Sequence, residues 1–384
     1  MSSKNYLSFP TGFLLGTGLL PESKFSRKIV SIGVFTPMTL FLVYLIVKKA
    51  RNGENKDVLL WAELFESLTT CAHILSRKYV MYVHGGLISQ IIKERGCYFW
   101  NYDIFGPKFG QTLERKMNIC TKIVKIVVSG GVVTIVLFCL TTVFDKSKVV
   151  PLVCWTPEDS LQTGIIYAME VLIMFEIMWA LLSIDCFYLL ICTDLRIQFI
   201  LLQRMIKSIK FGSNHDEKSF AKMVHCTQHH KFLLHFHAKL NTIFSSYFIV
   251  LYLVTVACAS MHTYIILFKQ VANLDISDWL KVRFRSPGFG DSIKSACYLS
   301  GMLFQVGLYF VITSNVEIEV VEIYNLNWEN TGSVKIRKHV LFMLMKSQEE
   351  LSVTGGGMLH VKRNEYVGLV RLAYTIATIL GGMT

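Results

Sequence analysis

Five histidines, His225, His229, His230, His235 and His237, stand close together in the chain, a density that could hold a metal ion. No Asp or Glu falls among them at ligand spacing, and the segment they occupy reads as a helix in the cytoplasmic layer. They therefore read as packing and hydrogen-bonding residues of a helix, with no metal assigned. Three acids, Glu170, Glu176 and Asp185, lie in an otherwise apolar stretch, where an ionisable side chain marks a proton relay, an ion path or a buried pair. Glu170 and Glu176 are six residues apart and share no helix face well, and the chain has no inverted repeat, both of which weigh against a transporter. The ten cysteines include no CxxC pair; Cys71, Cys139, Cys186, Cys258 and Cys297 sit in apolar runs as small hydrophobes, and only Cys154, in a loop, stands apart. There is no phosphate-binding loop, dinucleotide fingerprint, HExxH or nucleophile elbow. The residues imply neither an enzyme nor a cofactor.

What remains is a cavity for a small molecule. Phe65, Leu68, Ile135, Phe138, Val171, Met174, Tyr298 and Met302 fall in the same halves of four apolar segments. Aromatic and thioether side chains with few polar neighbours suit a small, volatile, apolar ligand held by burial and shape. Each of these positions taken singly is also an ordinary packing position.

The elements that must hold such a cavity are membrane helices. Apolar residues make up 52% of the 384 residues and charged residues 17%, below the quarter usual in soluble proteins, and mean hydropathy is +0.45. Runs of about 18 or more apolar residues are long enough to cross a bilayer. Seven spans are expected, near 29–47, 58–75, 126–144, 164–190, 243–268, 296–313 and 356–380, giving an all-α polytopic membrane protein of one domain. The apolar patch at 13–20 is too short to span and lacks a cleavage site, so the span at 29–47 is expected to act as its own insertion signal. Lys362, Arg363, Glu365 and Arg371 make the seventh span the weakest, a helix facing protein or water for part of its length, or else an amphipathic surface helix.

The polar stretches 76–125 and 193–237 keep helical spacing and read as helices prolonged into a cytoplasmic layer, joined by 316–345 as an anchor segment. The net charge of +12 is spread through loops with no nucleic-acid motif, so no nucleic-acid partner is read. With the amino terminus inside, inner segments collect most Lys and Arg, Arg77, Lys78, Arg95 and Arg196 among them. The carboxyl terminus then lies outside, opposite to a G-protein-coupled receptor.

Several stretches carry a family resemblance. VVPLVCWTPEDSLQTGIIY presents Pro151, Trp155, Pro157, Asp159 and Tyr167, LLSIDCFYLLICTDLRIQFILLQRMI presents Asp185, and HHKFLLHFHAKLNTIFSSYF presents His230, Leu234, Phe244 and Ser245. Near the end, Tyr324 and Trp328 precede a block with Gln348, Thr354, Gly356 and Tyr374. From about Lys93 to the terminus the chain resembles the insect odorant receptors. It departs from their pattern at Glu322, Glu350 and Thr375 and at the closing Gly-Gly-Met-Thr.

The resemblance implies an odour-gated, non-selective cation channel in the plasma membrane of sensory-neuron dendrites. The chain lacks the long intracellular insertion of the shared co-receptor, so it looks like the odour-tuned subunit that assembles with that co-receptor into a tetramer. Tyr324 and Trp328 would then lie in the subunit anchor, and Ile376, Ala377, Leu380 and Gly381 would line the pore. A gustatory receptor is the nearest rival, weakened because Ala373 precedes Tyr374 where that family has Thr and no Gln follows.

Overall fold

The computed structural model describes residues 8–52, 58–144, 150–209, 216–269, 289–321, 334–348 and 352–382. The order is α1 Ser8–Gly16, α2 Phe25–Asn52, α3 Val58–Tyr98, α4 Pro107–Phe144, α5 Ser160–Lys207, α6 Asp216–Tyr264, α7 Phe289–Val321, α8 Val334–Gln348, a hairpin of β1 Thr354–Gly355 with β2 Leu359–His360, and α9 Arg363–Gly382. The two-residue strands pair antiparallel, Thr354 with His360, and everything else of regular structure is helical. Four of the helices, Phe25–Asn52, Ser160–Lys207, Glu217–Leu267 and Ser295–Val320, are long and apolar enough to cross a membrane.

Three of these long helices are interrupted by a π turn. In α2 the turn covers Ile29–Phe35, just before Pro37, whose ring displaces a carbonyl from the preceding turn. The hydroxyl of Thr36 donates to Ser31 O at 3.1 Å, and Lys78 Nζ donates to the same oxygen at 3.1 Å, so one carbonyl of the widened turn finds side-chain donors. In α5 the turn covers Leu181–Asp185, and in α6 it covers Ile265–Lys269 at the helix end.

The core lies where α5, α6 and α7 meet. Tyr188 packs on Phe244, Phe248 and Tyr309 with ring centroids 4.5, 5.1 and 5.3 Å away, and its hydroxyl sits 2.8 Å from Thr313 Oγ1. In the polar halves of the helices, hydrogen bonds replace lipid contact. Asp194 accepts from Arg95 Nε at 2.7 Å and from the Tyr102 hydroxyl at 2.6 Å, and the Gln198 amide bonds both N–H and C=O of Trp100. The ring of Trp100 stacks on His229 at 3.9 Å and on His225 at 5.3 Å, so these histidines serve as flat packing surfaces. The patch at 13–20 forms α1 and the turn after it, burying Leu14, Leu19 and Leu20 in the main core.

Two expectations change here. Arg77 and Lys78, expected in a polar segment beyond the second span, are not solvent-facing charges of that segment. Helix α3 runs unbroken past them, and both are buried, paired with Asp185 and Glu176 at 2.8 and 2.9 Å. Nor does the last helix begin at 356. Gly356 and Gly357 have φ of +60° and +73°, a turn that L side chains rarely adopt, and the helix starts only at Arg363. That turn is stapled to α6: Gly356 N donates to Ser245, and Thr354 N donates to Asn241 Oδ1 at 2.9 Å. Tyr324 and Trp328 lie outside the described residues.

Burial lowers His229 and His230, in the polar half of α6, to pKa values of about 3 and about 4, with neighbouring His225 and His230 adding to the effect at His229. Unfolded imidazoles take up protons near their ordinary value, so stability present above pH ~6.5 is lost as pH falls toward 4, by about 1.4 kcal/mol per pH unit per group. Neither ring nitrogen of His230 has a partner among the described residues. His230→Phe should therefore flatten the decline in melting temperature of the detergent-solubilised protein between pH 7 and 5 without lowering it at pH 7.

Candidate functional site: a cavity among four helices

A cavity of about 420 Å³ opens among α3, α4, α5 and α7, a size suited to a small organic molecule. From α3 come Thr70, His73 and Arg77, spaced three and four apart so that they share one helix face. From α4 come Ile126, Val127, Gly130, Gly131 and Ile135; from α5, Met174; from α7, Cys297, Tyr298, Ser300, Gly301, Met302, Phe304 and Gln305. The glycines make the space. A Cβ built on Gly130, Gly131 or Gly301 would meet no atom within 4 Å.

The walls are apolar and the floor is charged. Arg77 grips Asp185 with Nη2 at 2.8 Å and Nε at 3.3 Å, and its other nitrogen donates to His73 O at 3.1 Å. Asp185 also accepts from the Tyr247 hydroxyl at 3.1 Å and from Gln305 Nε2 at 2.6 Å. One carboxylate thus joins α3, α5, α6 and α7. The π turn at Leu181–Asp185 delivers it, since the extra residue shifts the helical phase at that point. The other acids of α5 are also engaged. Glu176 pairs with Lys78, and Glu170 accepts from Leu152 N at 2.9 Å and lies 3.3 Å from Cys154 Sγ.

Those bonds from Glu170 form part of a strap across one end of the bundle. Val153 N donates to Ser67 Oγ at 3.0 Å, Trp155 N donates to Leu45 O at 3.1 Å, and Lys48 Nζ sits 3.2 Å from the Trp155 ring centre. Asp159 Oδ1 accepts from Leu161 N as α5 begins, and Tyr167 OH donates to Cys139 O. The Pro–Trp–Pro–Asp part of the pattern is thus a loop folded onto α2, α3 and α5, and its Tyr, Tyr167, stands on the first turns of α5. Burial and the adjacent Glu170 push the Cys154 thiol above the usual thiol range.

Of the residues expected to bind ligand, Ile135, Met174, Tyr298 and Met302 line this cavity. Phe65 and Val171 are half-buried and Leu68 is exposed, none of them on its wall. The side chain of Phe138 lies outside the described residues. The polar floor, His73, Arg77 and Gln305, was not anticipated. Its signal was Asp185, an acid in an apolar run that needs a cation within reach.

The last helix packs along α6 and α7. Tyr366 OH donates to Leu303 O at 3.1 Å, and a Cβ on Gly307 would come within 3.2 Å of the Tyr366 ring. Ala377 is fully buried with Tyr264 and Ile265, so its side chain faces the chain's own bundle, against the expectation of a pore-facing position. Ile376, Leu380 and Gly381 are half-buried beside it, while Val367, Val370, Leu372, Tyr374 and Ile379 are exposed.

Residues 107–277 match the profile of the family described as 7tm odorant receptor. The fold matches that of the insect olfactory receptor OR5 from Machilis hrabei solved in complex with eugenol, with a TM-score of 0.76 at 14% identity over 99% of this chain and 100% of that one. It also matches a structure of the same receptor whose description names no ligand, with a TM-score of 0.75 at 13% identity over 98% and 97%. At such identity the likeness establishes the fold, end to end. Among curated proteins there is no match.

Removing one partner of a buried pair leaves an uncompensated charge, at a cost of about 3–5 kcal/mol. Asp185→Asn should sharply lower the yield of folded protein in size-exclusion profiles. The paired replacement Arg77→Met with Asp185→Leu should recover part of it.

Proposed function

We propose that this chain is an odorant receptor, the odour-tuned subunit of a ligand-gated cation channel opened when a small uncharged molecule fills the cavity; the profile match over residues 107–277 supports that reading. The observation that carries this reading is the double engagement of α7. Along one stretch it presents Tyr298, Met302 and Gln305 to the cavity, and through Leu303 O and Gly307 it holds Tyr366 of α9. A ligand that fits the cavity better in one arrangement of α7 favours that arrangement and, with it, one position of α9.

The rest of the reading draws on the family resemblance. A shared co-receptor completes a tetramer, the last helix of each subunit borders the pore, and a hydrophobic constriction gates by dewetting. The exposed apolar residues of α9, Val367, Val370, Tyr374 and Ile379 among them, suit burial against neighbouring subunits or a pore. Ile376, Leu380 and Gly381 fall at the edge of that face. The amino terminus lies inside and the carboxyl terminus outside, with 316–345 serving as the cytoplasmic anchor. The protein works in the plasma membrane of sensory-neuron dendrites. The relative solved with eugenol supports a ligand of similar size.

Expressed with a co-receptor, the chain should give odour-evoked cation currents to some members of an odour panel; currents absent under every condition would overturn the reading. Gly301→Leu, which projects into open cavity, should raise the half-maximal odorant concentration by about tenfold, equivalent to about 1.4 kcal/mol, at unchanged surface expression. Tyr366→Phe removes one hydrogen bond of about 1 kcal/mol between α7 and α9 and should shift the gating equilibrium by about fivefold. It should alter maximal current more than ligand affinity.

A further inference from the structure

We infer that ligands reach the cavity sideways, from the lipid, through a cleft between α4 and α7, and that the receptor is therefore tuned to neutral molecules that dissolve in a bilayer. The inference rests on the cavity being the odorant site. Three observations carry it.

The first is the mouth. Ile126 and Phe304, both on the cavity wall, are 65% and 51% exposed, although each lies in an apolar helix. Near them the wall includes three glycines, Gly130, Gly131 and Gly301, each with open space within 4 Å of where a Cβ would stand. The second is depth. The mouth on α7, at Gly301 and Phe304, lies within Ser295–Val320, one of the helices long and apolar enough to cross a membrane. An opening there faces acyl chains.

The third is that both ends of the cavity are closed among the described residues. At one end the strap buries Val150, Leu152 and Cys154 in the same apolar cluster that holds Met174 and touches Ile135 and Tyr298. Glu170, Ser67 and Leu45 O hold its backbone there. At the other end stand Arg77, Asp185 and Gln305, already saturated by one another. A ligand entering past them would have to break a buried ion pair. A ligand entering between α4 and α7 displaces only acyl chains.

Entry from the bilayer sets the ligand class. A neutral apolar molecule concentrates in the membrane about fourfold for each methylene buried. A permanently charged one is held out by its desolvation cost.

The test reads access and not current, so its outcome is separate from that of the odour recordings. The full chain, reconstituted in phosphatidylcholine vesicles, is photolysed with adamantyl diazirine dissolved in the bilayer, or exposed to hydroxyl radicals generated in the water, and modified residues are located by peptide mass spectrometry. The carbene should modify the buried Met174 and Met302. Hydroxyl radicals should spare both while oxidising Met358, which is 78% exposed in the hairpin turn. Gly131→Trp, which places a ring in the mouth, should abolish carbene labelling of the two methionines, and Phe304→Ala, which widens it, should increase labelling. Oxidation of Met174 and Met302 from water, absence of carbene labelling, or carbene labelling unaffected by both substitutions would each overturn lateral entry. Loss of odour responses alone would count against the odorant reading and leave the labelling pattern standing.

Discussion

A guanidinium and a carboxylate cannot stay charged inside an apolar bundle unless each fills the other's bonding capacity, and the middle of this fold is arranged around that constraint. Asp185 receives Arg77 from α3, Tyr247 from α6 and Gln305 from α7 while standing on α5. Each bond fixes the rotation of one helix about its axis, because a side chain at the wrong phase could not reach. Apolar packing alone gives weaker control. In lipid, a leucine turned outward loses little, whereas a charge turned outward loses its partner and meets hydrocarbon. The pair is therefore better read as fixing which arrangement forms than as a large net contribution to stability.

Two irregularities follow from the same need. The π turn before Cys186 breaks the regular ladder of α5 and directs Asp185 inward, and the turn before Pro37 leaves a carbonyl at Ser31 that Lys78 then reaches. Lys78 also binds Glu176, so the second buried cation is tied to the same two helices as the first, with α2 added. The cavity sits directly above this network. Its floor is a set of hydrogen-bonded charges, and three positions of its walls are glycine. Helix α7 connects these parts, contributing Gln305 to the floor, Met302 to the wall and Leu303 O to Tyr366.

That the chain is helical was legible in its sequence, whereas the direction in which several residues face was not. Ile135, Met174, Tyr298 and Met302 were legible as cavity residues because aromatic and sulfur side chains cluster in matching halves of their helices. Leu68 and Val171 share that composition and lie off the wall, since a helix that meets lipid on one face and protein on the other is apolar on both. Ala377 failed for the same reason. Small size suggested a pore position, and small size also lets α9 close onto Tyr264 and Ile265. The pairing of Arg77 was not legible, because nothing local distinguishes a basic residue that flanks a membrane from one paired to an acid more than a hundred residues away.

By itself the sequence determined that this is an all-helical membrane protein, because a run of apolar residues has few other stable settings and because backbone polar groups in lipid must bond within their own helix. It also carried the loop and terminal patterns that resemble the insect odorant receptors, which are local in the chain. Only the tertiary structure decided which faces turn inward, where the cavity lies and what forms its floor. Those outcomes depend on pairings such as Arg77 with Asp185 and Tyr366 with Leu303, which form between residues distant in sequence and leave no periodic trace along the chain.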